Sequence, residues 1–388
     1  MSFIERNSTQ ILKKYINNFP AVAILGPRQC GKSTLAKYLL KSYNSVYIDL
    51  ENPDDLAKLT EPSLFFDQHK DKLVCLDEVQ RLPEIFSLIR SKIDNNGRNS
   101  QFLFLGSASP ELLKQTSETL AGRIVFYELT PFMVNELPEI FVADNITSKY
   151  WLRGGFPRSL LAVDNEISYV WRNNFIRTFL EKDIPNLGYK YPAETIRRLW
   201  QMIAHTQGQV VNTAQFGKSL GISHTTVNRY IDLLEQTFIL RVLKPYFSNG
   251  KKRLIKSPKL YIRDTGLLHT LIGLKVTDDV LGHPVAGPSW ETLVIENLIF
   301  NTPDFQHYFY RTSNGSEIDL VLQKGNKKYA IECKLSPSPK LNASFYNSIN
   351  DLDVNATFVI APVSEGYFIK ENIKVCNLME GINELMKL

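Results

Sequence analysis

Short apolar runs alternate with helical stretches through the first 130 residues. The runs are Ala21–Leu25, Val46–Leu50, Leu73–Leu76, Phe102–Leu105 and Ile124–Leu129. Such alternation predicts a parallel sheet wrapped by helices. From about Thr130 to Tyr191 the pattern becomes helical, with Arg153-Gly-Gly-Phe-Pro-Arg158 and Ile167–Asp183 as landmarks. Pro185 and Gly188 end that stretch and suggest a boundary. Residues from about Thr195 to Leu240 are helical again, and a basic, turn-rich hairpin follows over Val242–Ile262. From about Trp290 the chain reads as a helix, then strands at Ile318–Leu322, Tyr329–Leu335 and Ala356–Ala361. No internal repeat or low-complexity tract is visible.

At 388 residues the chain is too long for one core, so two or three domains are expected. Hydrophobic residues at 44% and charged residues at 22% are ordinary for a soluble protein. A net charge of +5 permits nucleic-acid contact without demanding it. Cys30, Cys75, Cys333 and Cys376 form no CxxC pair, which fits a reducing compartment. With no signal-like start and no apolar run of roughly 18 residues, a cytoplasmic protein with no membrane partner is expected.

Gly26-Pro27-Arg28-Gln29-Cys30-Gly31-Lys32-Ser33 fits GxxxxGK[ST] without a gap, between an apolar run and a helical one. The glycines let backbone N–H groups turn inward around phosphates, and a helix N-terminus adds partial positive charge. The stretch from Ala21 to Thr34 is therefore expected to bind the phosphates of ATP. Lys32 would reach the β- and γ-phosphates and Ser33 would ligate Mg2+. Oxidation of Cys30, inside the loop, would block nucleotide. Leu73-Val-Cys-Leu-Asp77-Glu78 ends a strand in adjacent carboxylates. Asp77 then lies near the magnesium, and Glu78 is placed to polarise the attacking water. Phe102-Leu-Phe-Leu-Gly-Ser107-Ala-Ser109 ends a neighbouring strand, where Ser107, or else Ser109, would sense the γ-phosphate.

This order resembles the AAA+ ATPases. GPRQCGKST, LDEVQ, GSAS, LAGR and GGFPR resemble a bacterial and archaeal branch with a distinctive C-terminal half. The resemblance implies a central parallel sheet (1–130) followed by a helical lid (131–190). It also implies an arginine that reaches nucleotide: Arg123, before the last core strand, or Arg158 in the lid. It sets no oligomeric state.

Two further segments carry chemistry. Asn212 can cap one helix, Gly221 supplies a turn, and Ser223 can cap the next helix, which carries polar His224, Thr225, Asn228 and Arg229. Val227, Ile231 and Leu234 give that helix an apolar side, the layout of a recognition helix. With Lys251, Lys252, Arg253 and Lys256 in the hairpin after it, residues 191–275 resemble a winged helix able to contact DNA phosphates.

Further on, Gly325-Asn326 between alternating runs signals a two-residue hairpin. Counting outward from Lys324 opposite Lys327 sets Asp319 opposite Glu332 and Glu317 opposite Lys334. Strict alternation puts those four on one face and Ile318, Leu320, Ile331 and Cys333 on the other. Two carboxylates roughly 5 Å apart repel by about 3 kcal/mol at an effective dielectric near 20. A divalent cation would reverse the sign, and Lys334 could activate a water. Asp319 with Glu332-x-Lys334 resembles the PD-(D/E)xK nucleases (276–388), with Ile318 standing where the signature has proline. That resemblance implies a third acid from a preceding helix, Glu291, with Glu296 as the fallback. Two functions are expected: an ATPase that acts on nucleic acid through an end that either cuts it with a metal or holds it, or an ATP-driven switch whose C-terminal half binds a protein partner and whose nuclease fold does not cut.

Overall fold

A computed structural model describes residues 3–106, 119–137, 146–189, 191–247 and 255–388. Two units emerge: Met1–Glu139 with Gln236–Phe238, and Ile140–Glu235 with Ile239–Leu388.

The first unit runs α1 (Ser8–Asn18), β1 (Ala21–Leu25), α2 (Lys32–Leu40), β2 (Ser45–Asp49), β3 (Leu73–Asp77), α3 (Ile85–Asn96), β4 (Phe102–Gly106) and β5 (Ile124–Glu128). The five apolar runs are its five strands, parallel throughout in the order β2-β3-β4-β1-β5. Their residues divide by parity. Val22, Ile24, Cys75 and Leu103 pack with Leu12, Leu35 and Leu39 of α1 and α2. Ala21, Ala23, Val74, Leu76 and Phe104 pack with Phe86 and Ile89 of α3. Burial on both faces explains why the central strands β1, β3 and β4 read as unbroken apolar runs, while the edge strands β2 and β5 are only partly buried.

The second unit begins with α4 (Ile146–Arg153), α5 (Pro157–Leu160), α6 (Asn165–Thr178), α7 (Ala193–His205), α8 (Thr213–Leu220) and α9 (His224–Gln236). An antiparallel pair follows, β6 (Leu240–Leu243) with β7 (Lys259–Ile262), and then α10 (Thr265–Leu271) and α11 (Ala286–Asn301). The remainder is β8 (Gln306–Arg311), β9 (Glu317–Lys324), β10 (Lys327–Cys333), α12 (Ala343–Leu352), β11 (Ala356–Ile360), β12 (Tyr367–Lys370), β13 (Ile373–Cys376) and α13 (Leu378–Leu385). Those six strands form a mixed sheet, β12-β13-β11-β10-β9-β8.

The segment expected as a lid, 131–190, divides at Glu139, and its larger part lies in the second unit. The Gly-Gly-Phe-Pro landmark fastens it there. Gly154 has φ +74°, and a Cβ on it would lie 2.1 Å from an Asp264 carboxylate oxygen. Asp264 accepts from the Gly155 N–H at 2.8 Å and the Leu267 N–H at 2.9 Å, so it caps α10 while gripping the α4–α5 turn. Arg172 of α6, fully buried, donates to the carbonyls of Leu152 and Gly266, both at 2.8 Å.

The helix–turn–helix expectation rests on observable caps. Asn212 accepts from the Gln215 N–H at 3.0 Å, Gly221 turns with φ +68°, and Ser223 Oγ accepts from the Thr226 N–H at 3.1 Å. On α9, Val227, Ile231 and Leu234 are buried while His224, Thr225, Asn228 and Arg229 are exposed. Lys251, Lys252 and Arg253 lie outside the described residues.

Candidate functional site

β1 delivers the chain into the loop 26–31. Gly26 is required sterically, since a Cβ there would lie 2.1 Å from the Leu129 carbonyl oxygen. Gln29 and Gly31 take positive φ, +61° and +106°, and α2 starts at Lys32. Lys32 is 5% exposed, and its ammonium donates to the carbonyls of Gly26 at 3.0 Å and Pro27 at 2.9 Å. Arg28 pairs with Glu51 at 3.1 Å, and Thr34 is exposed in the first turn of α2. Cys30 is buried, its sulfur 3.4 Å from the Leu129 carbonyl, and burial pushes its thiol up. That setting disfavours oxidation of the thiol.

The carboxylates stand at the end of β3. Asp77 accepts from the Tyr47 hydroxyl and, at 2.9 Å, from the Glu78 N–H. The same hydroxyl is in hydrogen-bonding reach of the Ser33 side chain. Ser33 and Asp77, the expected magnesium ligands, are thus both neighbours of the Tyr47 hydroxyl, and hydroxyl and carboxylate oxygens suit that hard cation. Burial and the hydrogen bond to Asp77 push the Tyr47 hydroxyl well above the usual phenol range. Glu78 has φ +55° and accepts from the Gln80 side chain. Burial raises its carboxyl, against the pull of Lys32 and Arg28. β4 lies beside β3 as expected; Ser107, just past Gly106, is outside the described residues. Arg123 makes a forked pair with Asp94 at 2.6 and 3.1 Å, and Arg158 is exposed on α5 in the second unit.

Sequence reading missed the brace behind the loop. Arg6 pairs with Glu136 at 2.9 Å, both buried, and donates to the carbonyls of Cys30 at 3.3 Å and Thr130 at 2.9 Å. No local pattern marks Arg6; Glu136 lies 130 residues away.

A second constellation lies wholly in the second unit. The hairpin register is as counted, Lys324 opposite Lys327 through Leu320 opposite Ile331. Strict alternation fails beyond it, because two residues of β8 (308 to 310) span three of β9 (321 to 318). That bulge lets Ile318 and Val321, of opposite parity, join one core cluster. Glu291, Glu317, Asp319 and Glu332 do gather. Among them sits the ammonium of Lys259, from β7, 2% exposed. It is 2.6 Å from Glu317, 3.1 Å from Glu291 and 4.0 Å from Asp319. Tyr261 donates to Glu291, Lys334 pairs with Glu332 at 2.6 Å, and Asp319 accepts from the Cys333 N–H at 2.8 Å. Burial, then Glu291 and Glu332, push the Asp319 carboxyl well up. Among the described residues no group of three or more His, Cys, Asp or Glu side chains is disposed to hold a metal ion. The fallback acid, Glu296, is committed elsewhere, to Arg241 and, at 2.9 Å, to Arg263.

Relatives set this geometry in context. Uncharacterized proteins of Mycobacterium tuberculosis and Mycobacterium bovis are each 37% identical over 371 residues, covering 95% of this chain and 82% of theirs. The chain belongs to their family. An uncharacterized Haemophilus influenzae protein is 25% identical over 283 residues, 65% of this chain and 69% of its own. Residues 18–138 match a family model described as AAA domain, while 145–278 and 286–380 match two domains of unknown function, DUF8612 and DUF4143. A solved structure, the Walker-type ATPase of Pyrococcus abyssi, superposes with a TM-score of 0.50 at 15% identity, covering 70% of this chain and 96% of that one. That likeness is one of fold: the first unit is an AAA-type P-loop domain. Among the described residues no helix is long and apolar enough to cross a membrane.

Proposed function

We propose that this protein is an ATP-hydrolysing switch whose second unit engages a partner. The observation that carries the reading is Lys32, a buried cation whose hydrogen bonds go to neutral carbonyls at the mouth of a phosphate-type loop. The loop N–H groups and Lys32 bind the β- and γ-phosphates, while Ser33 and Asp77 hold the magnesium. Magnesium, when bound, neutralises charge on the phosphate oxygens. Glu78 orients the attacking water, and its raised carboxyl suits it to accept a proton. Ser107 remains the proposed γ-phosphate contact, and Arg123 or Arg158 the proposed arginine; Arg123 would first have to leave Asp94. Lys32→Ala is expected to lose nucleotide affinity. Glu78→Gln is expected to keep binding and to slow hydrolysis about 10²-fold or more. Unchanged turnover in both would remove the assignment.

The exposed polar side of α9 over its buried apolar side favours one partner, duplex DNA, with residues 191–275 as a winged helix. Lid (131–190) and nuclease-like (276–388) modules complete that reading. Salt-sensitive binding that weakens when Lys251, Lys252 and Arg253 are neutralised, and changes preference with Asn228→Ala and Arg229→Ala, would support it. Binding that is absent at low salt would turn the reading to a protein partner.

A further inference from the structure

Four carboxylates of separate origin meet in the second unit: Glu291 from α11, Glu317 and Asp319 from β9, and Glu332 from β10. Left bare, such a group repels itself, and a proton or a cation must relieve it. A divalent metal is one way to do so. The chain supplies another.

Lys259 is anchored by its backbone, paired opposite Leu243 in the β6–β7 ladder and bridged to Val210. Its ammonium lies over the rings of Tyr261 and Phe309, whose centroids are 6.0 and 5.5 Å away. Residues 259 and 261 alternate onto one side of β7, so the lysine and the tyrosine both reach Glu291. We infer that the Lys259 ammonium is the resident cation of this cluster, which is therefore complete without a divalent metal and closed to one. Each neighbouring acid has a partner of its own. Glu317 also pairs with Arg311 at 3.1 Å, Glu332 with Lys334, and Asp319 takes the Cys333 N–H. Each of the four acids thus already meets a cation, an O–H or an N–H through at least one of its oxygens. Burial works against the lysine's charge, but Glu291, Asp319 and Glu317 outweigh it and hold the ammonium protonated above the ordinary lysine range. The consequence is functional: this end of the chain is an ion-paired platform rather than a metal-dependent cutting centre. The inference rests on the second unit alone and stands or falls apart from the ATPase reading.

The test is Mn2+ binding to the nucleotide-free full chain, followed by the paramagnetic signal of free Mn2+. Comparison with Asp319→Asn subtracts any ion held elsewhere. Wild type and Lys259→Arg are expected to bind no more Mn2+ than Asp319→Asn. Lys259→Met, which keeps the stem and drops the charge, is expected to bind one equivalent more than Lys259→Met/Asp319→Asn. Wild type exceeding Asp319→Asn by one equivalent would overturn the inference. So would a folded Lys259→Met that matches its double variant. Should Lys259→Met fail to fold in buffer, circular dichroism with Mn2+ extends the test, and refolding on addition of the ion supports the inference. Whatever Lys259→Met does, a wild type that exceeds Asp319→Asn by one equivalent overturns the inference.

Discussion

Two lysines of this chain are almost equally buried, Lys32 at 5% and Lys259 at 2% exposure, and they are completed in opposite ways. Lys32 is held by two neutral carbonyl oxygens. Lys259 is held by carboxylates. A carbonyl satisfies an N–H but supplies no full counter-charge at the contact; a carboxylate supplies both. The first arrangement keeps a cation in readiness for an incoming anion, and the second consumes it. The partners of a buried lysine, more than its burial, tell a binding group from a structural one.

The largest expected effect separates the two. Lys259→Ala leaves three acids without their common cation and should cost the second unit about 3–5 kcal/mol. For a unit of this size that is a fall of roughly 10 °C in melting temperature. Lys32→Ala should change the melting temperature of nucleotide-free protein by only a few degrees, about 1 kcal/mol or less. Thermal unfolding of both variants checks this, and a larger loss for Lys32→Ala would reverse the comparison.

Glu296 tests the same rule with the charges exchanged. It is a buried acid between Arg241 and Arg263. Burial alone would raise its carboxyl, yet the two guanidinium groups hold it at about 2. A folded value below the unfolded one gives stability that is fully present above the unfolded range near pH 4.5. It is lost as pH falls through the folded value. Glu296→Gln should therefore cost about 3 kcal/mol at pH 7, and the gap to wild type should narrow as pH falls from about 5 towards 2. Denaturant midpoints at pH 7 and pH 3 measure it. A gap that stays constant would show that the arginines do not act through charge.

How far the sequence showed these sites depends on how local each signal is. The phosphate loop is contiguous, and its strand, turn and helix all agree, so Gly26 to Ser33 could be read directly. The Gly325–Asn326 turn also carried the hairpin register correctly as far as Leu320 opposite Ile331. What failed was strict alternation along β9, where the β8–β9 pairing shifts register, because one extra residue leaves no mark in an alternating run. Lys259 went unread for another reason. It lies after a basic stretch, Lys251 to Lys256, inside the segment that reads as a turn-rich hairpin, Val242–Ile262, and its charge does not set it apart there. The available signal was its neighbours: Lys259-Leu-Tyr-Ile262 is a strand pattern in which a lysine shares a face with a tyrosine. Arg6 and Glu136, or Lys259 and Glu317, meet only through tertiary folding, and no spacing rule predicts them.

The smallest expected effect concerns Tyr47, where the two kinds of site come closest to each other. Its hydroxyl donates to Asp77 and reaches Ser33, the two side chains that should hold magnesium. In the nucleotide-free chain it satisfies Asp77 much as Lys259 satisfies Glu291, but it is neutral and can be displaced. Tyr47→Phe removes a hydrogen bond to a charged group and should lower the melting temperature of nucleotide-free protein by a few degrees, about 1–2 kcal/mol. It also removes a competitor for Asp77. The Mg2+ concentration giving half-maximal ATP hydrolysis should therefore fall about 3- to 5-fold, with kcat little changed. Titrating Mg2+ at saturating ATP separates this from the other role open to a hydroxyl at this place. If Tyr47 instead aims Asp77 at the ion, the Mg2+ requirement will rise and kcat will fall with it.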